Sequence, residues 1–162
     1  MALLKIRYYG DPCLRKKSTP VKDIGPGERL LIQSMIDTMH QEKGVGLAAP
    51  QVGINQRIFV ADIGEGPIVF INPMVLRRSG VEVLEEGCLS IPGITVAVKR
   101  GKKVLVRYKD SENNVREKVF EQLMARVIQH ETDHLNGRLI LDYVKMKDRP
   151  KVREELKKAQ RI

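Results

Sequence analysis

The chain has 162 residues, 42% of them hydrophobic, and a formal net charge of +9. That length suits one compact domain over residues 1–162, and the apolar share argues against disorder. No apolar run approaches the roughly 20 residues of a membrane span. With four Tyr, three Phe and no Trp there is little to stack bases, so sequence-specific reading of nucleic acid is not expected.

The start, Met1-Ala2-Leu3-Leu4-Lys5-Ile6, has one Lys and no sustained apolar core. No secretory or transit leader is expected, and the protein is expected in the cytoplasm. A disulfide between Cys13 and Cys88 is not expected there. From Ile6 to Val21 the turn chemistry of Gly10-Asp11-Pro12 predicts an irregular arm. Cys13 sits in that arm among basic residues and reads as a small buried hydrophobe.

Gly25-Pro26-Gly27 breaks the chain, and Leu31, Ile32, Met35, Ile36 and Met39 then recur at helical spacing. They predict an amphipathic helix over Glu28–Lys43, closed by Gly44. His40, near its end, is expected to be solvated or to favour the negative end of the helix dipole. Gly44-Val45-Gly46-Leu47-Ala48-Ala49-Pro50-Gln51 follows. Its small residues let backbone approach another group closely, but it lacks the Lys-Ser/Thr of a phosphate-binding loop.

Arg57–Asp62, Ile68–Asn72, Val81–Leu84, Thr95–Lys99, Lys103–Lys109 and Val115–Phe120 read as strands. Glu86-Gly87-Cys88-Leu89-Ser90, running into an expected Pro92-Gly93 turn, places Cys88 at a strand end or loop. A helix is predicted from about Glu121 to Asn136, with Leu123, Val127, His130 and His134 along one stripe and Gly137 closing it. Leu139–Leu141 reads as a short strand. A basic helix follows Pro150, anchored by Val152 and Leu156, with Lys145, Lys147, Arg149, Lys151, Arg153, Lys157, Lys158 and Arg161 as its charges.

Gln129-His130-Glu131-Thr132-Asp133-His134 contains H-E-x-x-H. One helical turn puts both imidazoles on one face, where they can grip one metal ion with Glu131 beside it, unless they are two ordinary histidines of a helix. A catalytic site usually needs a third protein ligand and leaves a fourth position for water. Leu135-Asn136-Gly137 supplies no third His. Cys88 is the better candidate, and a downstream carboxylate such as Asp142 stays open. Glu86 and Arg100 read either as a pair orienting a ligand or as a structural ion pair. Asp133 points away from the histidines and reads as a pairing or capping residue.

Together, Gly44–Gln51 (G-x-G-L-A-A-P-Q), Glu86–Ser90 (E-G-C-L-S) and Gln129–Gly137 (Q-H-E-x-D-H-L-N-G) resemble the three motifs of the peptide deformylases, in that order. The Gly10-Asp11-Pro12 arm is similar to that family's N-terminus. The resemblance implies an α+β fold, with mostly antiparallel β-sheets around a central metal-binding helix and a C-terminal helix. It implies a hydrolase that removes the N-formyl group from the formyl-methionine of newly made polypeptides. Cys88, His130 and His134 look like the metal ligands, and Glu131 like the general acid/base. The Gln51 side chain and the Leu89 backbone N–H look like the donors for the formyl oxygen. Gly44, Val45, Gly46 and Val127 look like substrate contacts, and a pocket near Val45, Leu89 and Val127 would take the methionine side chain. The stem of Arg126 would sit next to that wall. The family's metal is usually iron(II); zinc, nickel and cobalt also suit the ligands. Some relatives dock at the ribosome through the basic C-terminal helix.

Two other functions share parts of this pattern. An H-E-x-x-H metallopeptidase would cut internal bonds without using Cys88. A basic ribosome- or RNA-associated binding module would hold a structural metal with four protein ligands and no turnover.

Overall fold

The computed structural model describes residues 3–160. Met1 and Ala2 of the N-terminal stretch, and Arg161 and Ile162 of the basic tail, lie outside the described residues. The N-terminal arm is irregular as expected, with one 3-10 turn at Pro12–Arg15 capped by the Asp11 carboxylate on the Cys13 N–H. The Cys13 thiol is half-buried and donates to the Pro50 carbonyl at 3.4 Å; burial, then the Asp11 carboxylate, pushes it up to about 11. It behaves as apolar filler and not as a nucleophile.

Helix α1 (Pro26–Gln41) starts two residues before the predicted span, because Pro26 suits the first helical position and Glu28 reaches back to the Gly25 N–H. It ends at Gln41, and Lys43, not Gly44, takes the left-handed turn with φ 57°. The glycine loop then condenses into β1 (Gly46–Ala48) and a 3-10 turn (Ala49–Val52). The next strands are β2 (Ile58–Ala61), β3 (Ile68–Ser79), β4 (Glu82–Cys88), β5 (Ile91–Arg100), β6 (Lys103–Lys109) and β7 (Val115–Glu121). Helix α2 (Gln122–Leu135) carries H-E-x-x-H, and α3 (Arg149–Gln160) ends the described chain.

Strands β1-β2-β3-β6-β7 form one antiparallel sheet in that order, and β4-β5 form a separate antiparallel hairpin. Alternation along β2 sends Ile58 and Val60 toward Ile32, Met35 and Met39 of α1. It sends Phe59 and Ala61 toward Ala125, Val127 and Ile128 of α2, together with Phe70 and Tyr108, whose rings lie 4.6 Å apart. The large sheet is therefore covered by a helix on each face. A third cluster joins Val96 and Val98 of β5 to Leu14, Leu139 and Ile140, and the predicted anchors Val152 and Leu156 pack against it. Burying each such aliphatic side chain contributes about 1.5–3 kcal/mol.

Two expectations fail for local reasons. Pro92-Gly93 is not a turn but the start of β5, and the reversal occurs at Leu89-Ser90. Leu139–Leu141 is not a strand: Ile140–Tyr143 is a 3-10 turn, closed by the Asp142 carboxylate on the Leu139 N–H at 3.1 Å.

Candidate metal centre

Helix α2 runs beneath the gap between β1 and the β4–β5 hairpin. Gln129 fastens it there, accepting from the Gly101 N–H at 3.0 Å and donating to the Gly101 carbonyl at 2.9 Å. Gly137, at φ 74°, takes the left-handed conformation that stops the helix. Cys88 closes β4, so the hairpin delivers its sulfur over the histidine face of α2.

The Cys88 Sγ lies 3.4 Å from His134 Nε2, and the ligand atoms of Cys88, His130 and His134 are all within 4.8 Å of one another. Metal bonds of roughly 2.0–2.3 Å put the ligand atoms of one tetrahedron about 3.4–3.8 Å apart. Three soft-to-borderline donors at this spacing fit one transition-metal ion and leave a fourth position free. Asp142 is not a fourth ligand. It pairs with Arg15 at 2.8 Å.

The electrostatics of the protein groups also favour a cation here. Burial works against a charge on His130, but Glu131, Cys88 and Glu86 outweigh it and raise its pKa well above the usual histidine value. Burial, then His130 and Arg100, keeps His134 well below that value, so it stays a neutral donor. The His130 Nδ1 is 2.9 Å from Glu86 Oε1, which fixes the tautomer that frees Nε2 toward Cys88.

Glu131 is buried, its Oε2 lies 3.8 Å from His130 Nε2, and its Oε1 has no protein partner. Burial pushes its carboxyl up to about 7, against the pull of His130. A carboxylate with that affinity for protons gives and takes them near neutral pH. Gln51 is fully buried; its Oε1 accepts from the Ala48 N–H at 2.9 Å, and its Nε2 points at Ser90 Oγ (3.1 Å) and Cys88 Sγ (3.6 Å).

A cleft of about 420 Å³ opens above these groups. Gly44, Val45, Gly46, Gln51, Leu89, Val127 and Glu131 line it beside Cys88 and His130, while His134 is buried and does not line it. Leu123 is half-exposed at its mouth rather than buried along the helix stripe. Gly46 is the tightest point, since a Cβ there would stand 2.7 Å from Glu131 Oε2 and 2.9 Å from Val127 Cγ1. Gly46→Ala is therefore expected to lower kcat/KM at least about tenfold through overpacking. Steady-state kinetics checks this; an unchanged value contradicts the close approach.

Some roles were not legible in the motifs. His40 is not merely solvated but pairs with Asp62 at 2.8 Å. Glu86 and Arg100 do meet, through two bonds of 2.9 Å, and Arg100 continues to Asp133 at 2.7 Å and Tyr143 at 3.2 Å. Arg126 joins the same carboxylate at 2.6 Å. Ser90 holds the Gln51 amide. The motif placed Ser90 next to the thiol, but nothing in the sequence tied it to Gln51.

The sequence profile described as Polypeptide deformylase matches residues 3–150. The peptide deformylase of Thermotoga petrophila is 48% identical over 155 residues, covering 95% of this chain and 94% of the relative. The crystal structure of the Thermotoga maritima peptide deformylase superposes with a TM-score of 0.86 at 48% identity, over 88% of this chain and 97% of that one. That of the Legionella pneumophila enzyme gives 0.94 at 40% identity, over 99% and 96%.

Proposed function

The chain belongs to the polypeptide deformylase family, and from that premise we propose how its residues divide the work. It is a metal-dependent hydrolase that removes the N-formyl group from newly made polypeptides. The observation that carries the assignment of roles is the approach of Cys88 Sγ to within 3.4 Å of His134 Nε2, beside a buried Glu131 carboxylate with a free oxygen.

Cys88, His130 and His134 hold one divalent ion, iron(II) by preference, with zinc, nickel or cobalt as substitutes. When bound, the ion lowers the pKa of water and polarises the formyl oxygen. Glu131 takes the proton of the attacking water, whose oxygen bonds to the formyl carbon. It returns that proton to the amine as the C–N bond breaks, so formate and a free N-terminus leave. The Gln51 Nε2 and the Leu89 backbone N–H donate to the formyl oxygen as it gains charge. The backbone at Gly44, Val45 and Gly46 runs beside the peptide, and Val45, Leu89 and Val127 take the methionine side chain. Residues 1–162 act as one catalytic domain in the cytoplasm; no helix among the described residues is long and apolar enough to cross a membrane.

The test is formate release from a formyl-Met peptide by anaerobically prepared enzyme, beside Cys88→Ala and Glu131→Ala. Turnover by the parent and loss in both variants is expected. Cleavage of internal bonds that survives Cys88→Ala would favour a metallopeptidase instead. Gln51→Ala is expected to lower kcat about 10²–10³-fold with little change in KM, as for loss of one oxyanion donor; a change in KM alone contradicts that role. The iron form is expected to lose activity faster in air than without oxygen, and equal decay would count against iron(II) beside the thiolate.

The exposed Lys151, Arg153, Lys157 and Lys158 on α3, whose Val152 and Leu156 face inward, form a surface for ribosomal RNA. Ribosome pelleting that weakens with salt and is lost on truncation after Pro150 supports this; salt-insensitive pelleting contradicts it.

A further inference from the structure

The roles above use only the stem of Arg126, although its guanidinium end is also buried at the edge of the site. It stands on α2, one turn before His130. Its Nη1 donates to Glu86 Oε2 at 2.6 Å and to the Val98 carbonyl at 2.9 Å, and its Nη2 donates to the Glu82 carbonyl at 2.7 Å. The fork thus ties the metal-binding helix to both strands of the β4–β5 hairpin, which carries Cys88.

Glu86 is the point where these ties meet. Its Oε2 accepts from Arg126 and from Arg100 Nε, and its Oε1 accepts from Arg100 Nη2 and faces His130 Nδ1. A carboxylate has about four lone-pair directions, and all four are engaged. Arg100 lies at the end of β5 and Arg126 on α2, so the carboxylate is gripped from two separate elements. Arg100 holds it from the hairpin through two bonds, and the single Arg126 Nη1 bond, beside His130, ties it to α2 as well. The stem of Arg126 meanwhile lines the cleft beside Leu123 and Val127.

We propose that Arg126 is a positioning residue: through Glu86 it orients His130 for the metal, and through Glu82 and Val98 it sets the hairpin that carries Cys88 against α2. This rests on the ligand assignment made above. Orientation of a ligand by a partner behind it typically changes metal affinity or activity by about 10–100-fold.

The experiment compares wild type, R126M and R126K. Cobalt(II) affinity is measured by competition with a chelator, kcat and KM on a formyl-Met peptide at saturating metal, and the metal-free thermal midpoint as a control of folding. R126M keeps an unbranched stem of similar length but no donors. It is expected to weaken cobalt binding about 10–100-fold and lower kcat, with KM within about threefold because the stem wall persists. R126K keeps a cation beside Glu86 but not the planar fork, and is expected to recover part of the affinity. Cobalt affinity within about twofold of wild type in R126M, or a change in KM alone, overturns the proposal. So does an R126K protein that binds and turns over like wild type while R126M fails to fold, since the role would then be structural. Failure of the ligand assignment itself looks different: wild type and C88A would bind cobalt equally.

Discussion

Glu131→Gln is expected to lower kcat by about 10²–10⁴-fold, the usual worth of a positioned general base. The substitution is nearly isosteric, so the tight contact with Gly46 is kept and KM should move little. Metal affinity should also persist, because Glu131 does not belong to the Cys88, His130 and His134 group. The effect is large because nothing nearby replaces it. Glu86 is spent on Arg100, Arg126 and His130, and Asp133 on Arg100 and Tyr143. Steady-state formate release, with the metal content of each preparation measured, checks this. A variant that keeps more than about a tenth of the parent kcat contradicts the role.

The second large effect falls on stability. Glu86→Ala leaves the buried guanidinia of Arg100 and Arg126 without their shared carboxylate, and exposure of either side chain is below 10%. Breaking a buried ion pair from one side costs about 3–5 kcal/mol, which is a large share of the 5–15 kcal/mol that holds a domain together. Urea or thermal unfolding of the metal-free variant measures it. A loss below about 1 kcal/mol would place the cluster with surface pairs. The same carboxylate sets an acid dependence. Burial alone would raise it, but hydrogen bonds and charge from His130 and Arg100 hold it near 2, against an unperturbed 4.5. Because the folded value is the depressed one, its contribution is fully present above about 4.5 and is lost as pH falls through about 2. Glu131 acts in the opposite sense. Its raised value, about 7, gives a contribution complete below about 4.5 and lost as pH rises through 7. Glu86→Gln in the metal-free protein should remove the acid-side slope and leave the other.

The chemistry was more legible in the sequence than the scaffolding that aims it. H-E-x-x-H is a helical pattern, so the common direction of His130 and His134 follows from 3.6 residues per turn alone. The third ligand came from motif context, and the structure brings Cys88 to it across 46 residues to His134. Arg126 shows the opposite case. Its stem reads as a neighbour of the pocket wall, but its guanidinium partners Glu86, Val98 and Glu82 lie 40, 28 and 44 residues away. Periodicity says which face of α2 is buried but not which carboxylate waits there. Strand existence was legible for the same reason, whereas the separation of β4–β5 from the large sheet was not, because pairing depends on tertiary approach. Leu139–Leu141 misled because a short apolar run suits a buried turn as well as a strand; the Asp142 side chain, bonding back to Leu139, decided it.

X-ray absorption at the metal edge tests the centre most directly. Zinc- or iron-loaded protein should show one sulfur and two imidazole nitrogens around the ion, with a single light scatterer completing the shell, and Cys88→Ala should lose the sulfur. A shell without sulfur, or one filled by four protein atoms, would contradict the hydrolytic site built here from a hairpin thiol and a helical pair of imidazoles.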